Sequence, residues 1–150
     1  MTTDVPRILL LSGPNLDLLG ERQPEVYGTA TLADHVAAAT AEAGRRGLAL
    51  EHLQSNHEGD LVEAVHRARR DAAGIIVNAG ALTHYSWSLH DALAAFDGPV
   101  VELHLSNPGA REEFRHLSVV TPVATAVIAG VGPAGYPLAV SAMASLLGDR

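Results

Sequence analysis

Apolar residues fall along this chain in two kinds of run that take turns. Short continuous runs, such as Ile8-Leu9-Leu10-Leu11 and Gly74-Ile75-Ile76-Val77, read as strands buried on both faces. Between them apolar positions recur every three or four residues, the spacing of one helix face. The predicted strands are 7–11, 48–54, 74–77, 99–103 and 124–129. The first long helix opens at Thr31, a cap with Asp34 three residues on, carries Leu32, Val36, Ala39 and Ala43 inward, and closes at Gly47. A second runs over 60–70 with Leu61, Val65 and Ala68 inward, and a third over 86–96, stopped by Gly98-Pro99. The last helix covers 136–147, with Gly135 as its cap and Pro137 in its first turn, where a missing N–H costs least. A helical turn is expected at 110–114.

Strand and helix patterns that alternate in this way imply an α/β fold with a parallel sheet covered on both faces. Five strands fit the flavodoxin-like three-layer sandwich of order 2-1-3-4-5. No repeat, low-complexity stretch or linker interrupts residues 1–150, which read as one catalytic domain. A parallel sheet gathers its strand-to-helix loops on one edge, where ligands of open α/β sheets bind. In this chain those loops, 12–28, 54–59, 78–85 and 104–118, hold the polar, charged and His-rich segments, while the loops of the opposite edge are short and plain.

Composition narrows the function. With 47% hydrophobic residues the chain is globular, and without cysteine it has no disulfide, thiolate metal site or Cys nucleophile. A net charge of −7 leaves no basic excess for nucleic acid or a membrane surface. The amino terminus has no signal-peptide pattern and no run reaches transmembrane length, so a soluble cytoplasmic protein is expected. Eight histidines are many, but no HExxH or HxH pattern makes them a metal site.

The loop 12–28 is too long for a simple strand-to-helix connection, which takes about 2–6 residues. It carries Asn15, Arg22 and Tyr27, and a cation near a tyrosine favours the phenolate that base chemistry needs. Taken alone it reads more readily as an ordinary surface loop with a solvated Arg and an anchoring Tyr. Glu102 and His104 are two apart on one strand and face the same side, so the carboxylate can fix the imidazole tautomer. A histidine that merely satisfies a buried glutamate has the same pattern. Leu105-Ser106-Asn107 offers amides and a hydroxyl to an anion, and Arg111 and Arg115 add cation to the same loop. Asn78 and His84 lie on the neighbouring loop. Asp91, on the third helix, reads alone as a solvated acid, and Trp87 as packed under a loop. No G-x-x-x-x-G-K-[ST] or G-x-G-x-x-G follows the first strand, which argues against a nucleotide or flavin cofactor. A Tyr beside an Arg, a Glu-held His and an anion pocket suit proton abstraction beside a carbonyl with acid-assisted loss of a leaving group.

GPNLDLLGERQPEVYG, QSNHEGDLVEAVHRAR, GIIVNAGALTHYS and VELHLSNPGAREEFRHLS, in that order, resemble the type II 3-dehydroquinate dehydratases, in register from Ile8 to about Leu147. The resemblance implies cofactor-free dehydration of 3-dehydroquinate to 3-dehydroshikimate, in the shikimate pathway or in quinate breakdown, by a homododecamer built from trimers. It implies Tyr27 as the base at C2 with Arg22 supporting its phenolate, and Asn15 as holder of a water on the enolate oxygen. It further implies His104, oriented by Glu102, as the acid at the C1 hydroxyl. Asn78, Leu105 and Ser106 would take the carboxylate and nearby hydroxyl, His84 and Arg115 the ring hydroxyls, and Asp91 would reach the site of an adjacent subunit. Ser12, Asp17, Gln23, Ala79, Leu82, Tyr85 and His90 depart from the family's usual residues, and none of them removes a proposed catalytic group. A catalytically retired homologue and a flavodoxin-like small-ligand binder are the alternatives. The intact Tyr27, Arg22 and His104 speak against the first, and the missing phosphate loop against the second.

Overall fold

A computed structural model describes residues 4–148. Five strands, β1 (Arg7–Ser12), β2 (Ala49–Gln54), β3 (Gly74–Asn78), β4 (Val100–His104) and β5 (Ala126–Ala129), form one parallel sheet of order β2-β1-β3-β4-β5. This is the expected flavodoxin-like order. Register brings Ser12 opposite Gln54 on one side and Asn78 on the other, so three polar residues end three adjacent strands.

Two helices cover each face, and strand alternation decides which residues each face receives. Leu9, Leu11, Ile75 and Val77 pack beneath α3 (Glu58–Asp71) and α4 (Trp87–Ala94). Ile8, Leu10, Ile76, Val101 and Leu103 pack beneath α2 (Leu32–Arg45) and α5 (Gly135–Leu146). Ile8, Leu10 and Leu11 are fully buried, each contributing about 1.5–3 kcal/mol. Helix α2 begins with the anticipated capping box, in which the Thr31 and Asp34 side chains each accept a backbone N–H of the other residue, at 3.1 and 2.9 Å. Gly47 ends the connection that follows at φ 71°, a conformation costly for residues with a Cβ. Among the described residues no helix is long and apolar enough to cross a membrane.

Three features differ from expectation. The 12–28 loop contains a one-turn helix, α1 (Pro24–Tyr27), too short to show a hydrophobic period. The segment 110–114 is not one turn but lies across two 3-10 turns, Pro108–Ala110 and Glu113–His116. Trp87 is not under a loop. It is 61% exposed at the start of α4, its ring edge against His90 at 5.2 Å. Its position at N1 of the helix, just after the Ser86 cap, turns it outward while Leu89 and Leu93 take the buried stripe.

Candidate active site

The carboxyl edge of the sheet is assembled by close backbone approaches. Gly13 follows β1 so tightly against the β3 loop that a Cβ there would lie 2.3 Å from the Ala79 carbonyl oxygen. Its N–H donates to the Asn78 carbonyl at 2.8 Å. Gly80, at φ 60°, is also close-packed: a Cβ there would lie 2.9 Å from the Pro14 carbonyl oxygen. Asn15 adopts φ 68°, and its N–H donates to Asn56 Oδ1 at 2.9 Å. The Gln54 amide ties the same Asn56 to the Gly13 carbonyl through 3.2 Å bonds. Three loops are thus locked together before any ligand arrives.

A cleft of about 690 Å³, counting the solvent at its mouth, opens over this edge. The lid above it turns at Gln23, φ 43°, and ends α1 with Tyr27. Arg111 Nη1 donates to the Tyr27 hydroxyl at 2.7 Å, and its guanidinium carbon is 5.1 Å from the ring centre. Arg22 lies 5.6 Å from that centre. The tyrosine is therefore flanked by two cations within cation–π range.

Across the cleft, β4 presents His104. Its Nε2 is 2.6 Å from Glu102 Oε2 and donates to it, leaving Nδ1 for proton transfer. Glu102 is buried, and its carboxylate also accepts from Ser118 Oγ at 2.8 Å and Thr121 Oγ1 at 2.5 Å. Burial disfavours its charge, but the bonds from His104, Thr121 and Ser118 outweigh that and hold its pKa below the ordinary glutamate value.

The walls complete the expected set. Asn78 is buried at the end of β3, and Leu105 and Ser106 follow β4. His84 donates from Nδ1 to the Leu117 carbonyl at 2.7 Å, which leaves Nε2 for the cleft. Arg115 lies over the Phe114 ring at 4.6 Å and is paired with Glu112. Asn15, Arg22, Tyr27, Asn78, His84, His104, Leu105, Ser106 and Arg115 all line the one cleft, with Glu102 behind His104. Asp91 does not. It is exposed on α4, outside this chain's cleft.

Four contacts lay beyond sequence reasoning. Arg111, not Arg22, bonds the Tyr27 hydroxyl. Ser118 and Thr121 share Glu102 with His104, and Asn56 holds Asn15. Arg111 was visible as one of a basic pair with Arg115, but nothing local says which arginine reaches the tyrosine.

A buried acid–imidazole pair facing a cation-flanked tyrosine at the edge of a flavodoxin-like sheet is the equipment of a lyase that moves protons. The family profile for class II dehydroquinases matches residues 6–144, and the chain belongs to that family. It is 55% identical over 140 residues to a 3-dehydroquinate dehydratase of Corynebacterium glutamicum strain R, covering 93% of this chain and 97% of that one. It is 50% identical over 149 residues to a catabolic 3-dehydroquinase of Pyricularia oryzae, covering 98% and 95%. The crystal structure of the type II dehydroquinase of Propionibacterium acnes superposes with a TM-score of 0.89 at 42% identity, covering 93% of this chain and 96% of that one.

Proposed function

We propose that this chain is a type II 3-dehydroquinate dehydratase and that Tyr27 and His104 carry its two proton transfers. The Tyr27 phenolate takes a proton from C2 of 3-dehydroquinate, and the electron pair moves into an enolate on the C3 oxygen. Arg111 and Arg22 supply the counter-charge that the phenolate requires. A water held by Asn15 bonds the enolate oxygen. The enolate then collapses, the C1–O bond breaks, and His104 Nδ1 gives its proton to the departing hydroxyl, which leaves as water. The product is the conjugated enone 3-dehydroshikimate. Glu102, ionised, balances the charge of the doubly protonated ring before that transfer. Asn78, with Leu105 and Ser106, receives the substrate carboxylate and its neighbouring hydroxyl, and His84 and Arg115 the ring hydroxyls. The residues suffice for this chemistry without a cofactor.

The observation that carries the reading is the pairing of His104 with buried Glu102 across a cleft from the Arg111-bound Tyr27. An absorbance assay with 3-dehydroquinate tests it, since the enone absorbs where the substrate does not. No absorbance gain from folded protein would reject it. A second test separates the two protons. In D₂O, His104→Ala is expected to keep exchanging the C2 proton by NMR while forming little product. Dehydration at the wild-type rate would remove His104 from the acid's role.

The chain further acts as a homo-oligomer, a dodecamer built from trimers, in the cytoplasm. Tyr85, Trp87, Phe114 and Leu117 are each about 60% exposed on segments flanking His84 and on α4. Asp91, exposed on that helix, then contributes to a neighbour's cleft rather than its own.

A further inference from the structure

Tyr136 has no part in the reaction as read above, yet it is among the largest fully buried side chains of the molecule. It sits in the first turn of α5, with the His35 ring of α2 stacked on it at 4.8 Å and 21°. Its hydroxyl accepts from Asn78 Nδ2 at 3.2 Å, and the Ser12 hydroxyl faces the same phenol. Ser12, fully buried at the end of β1, has its Oγ 2.9 Å from His52 Nε2 on β2. Burial raises the Tyr136 pKa, so the phenol stays neutral and has a proton to give. Burial also lowers that of His52, which keeps the ring neutral and able to accept. Asn78 Nδ2 donates to the Tyr136 hydroxyl, which leaves the phenol proton for Ser12 Oγ and, with His52 in its Nδ1–H tautomer, the Ser12 proton for His52 Nε2.

On its other side, Asn78 Oδ1 accepts the Gly80 N–H at 3.4 Å. With Oδ1 and one amide proton committed, the second amide proton is the group left for the cleft. Turning the amide over would set its NH₂ against the Gly80 N–H and leave no donor for an anion.

We propose that Tyr136 is a positioning residue: through the buried chain Asn78–Tyr136–Ser12–His52 it holds the Asn78 amide with an N–H available to the substrate carboxylate. This rests on the assignment of Asn78 to substrate binding made above. Steady-state kinetics on Tyr136→Phe, Asn78→Ala and the double variant test it. Tyr136→Phe keeps the ring and is expected to raise KM roughly 5- to 20-fold. Its kcat is expected to stay within about 2-fold, because the contact is made in ground and transition states alike. In the Asn78→Ala background the same change is expected to add nothing. A merely structural tyrosine would lower the melting temperature and leave KM alone.

A wild-type KM for Tyr136→Phe beside a raised one for Asn78→Ala overturns the proposal and leaves the substrate assignment standing. Independent, multiplicative effects in the double variant overturn it too. A wild-type KM for Asn78→Ala removes both. If Tyr136→Phe does not fold, Ser12→Ala carries the test. It is expected to raise KM by roughly 2- to 5-fold, and only while Asn78 is present. An unchanged KM in that variant overturns the proposal.

Discussion

Tyr27 has two cations over its ring, but only Arg111 bonds its oxygen. Tyr27→Phe removes the proton acceptor and nothing else of size, so kcat is expected to fall by about 10²–10⁴ with substrate affinity nearly kept. Single-turnover rates beside a direct binding measurement would check it, and a tenth of the wild-type kcat would rule the residue out as base. Glu102 makes a different prediction. Its folded pKa is depressed, so its contribution to stability is fully present above the unfolded value, ordinarily about 4.5, and is lost as pH falls through the folded one. Urea midpoints followed downward from neutral pH are expected to drop below that value, and to drop less steeply in Glu102→Gln. The pair Glu102–His104 was legible in the sequence because alternation along a strand fixes which residues share a side. The bond from Arg111 to Tyr27 was not, because it joins residues 84 apart. Chain proximity pointed to Arg22 instead.

At the scale of elements, what could be read followed period and punctuation. Four of the five strands kept an apolar run and the long helices kept their stripe, with ends shifted by a residue or two, the usual ambiguity. The lid helix α1 escaped because four residues bounded by Pro24 and Gly28 look like a turn. The segment beyond His104 escaped for the same reason, its 3-10 turns being set by contacts such as Arg115 with Glu112 and Ala110 N–H with the Asn107 carbonyl. Two substitutions measure how elements hold the site. Thr31→Ala deletes the cap of α2 at a residue that does not line the cleft, and is expected to cost about 1 kcal/mol in urea unfolding with kcat unchanged. Gly13→Ala instead forces β1 and β3 apart at the Ala79 carbonyl. It is expected to cost stability and also at least about tenfold in kcat/KM, because displacements near 1 Å at a site are that expensive. Equal kcat/KM in the two variants would show that the Gly13 approach does not set the cleft.

At the scale of the whole molecule, the cleft lies at the carboxyl edge of the sheet, and the proposed assembly would use the exposed apolar side chains beside it. Light scattering is expected to return a large homo-oligomer, and Asp91→Ala to lower activity without altering the Tyr27 and His104 residues of the same chain. A fully active monomer would contradict both. The outward turn of Trp87 then has a use in spectroscopy. It is the only tryptophan of the chain, and 61% of it is open to solvent when the chain stands alone. Its fluorescence therefore says little about the core, which contains no indole. A partner seated over this face in the proposed assembly would shield the ring and move its emission to the blue. On dilution the emission is expected to shift red while far-UV circular dichroism stays constant, so one intrinsic fluorophore reads subunit dissociation separately from unfolding.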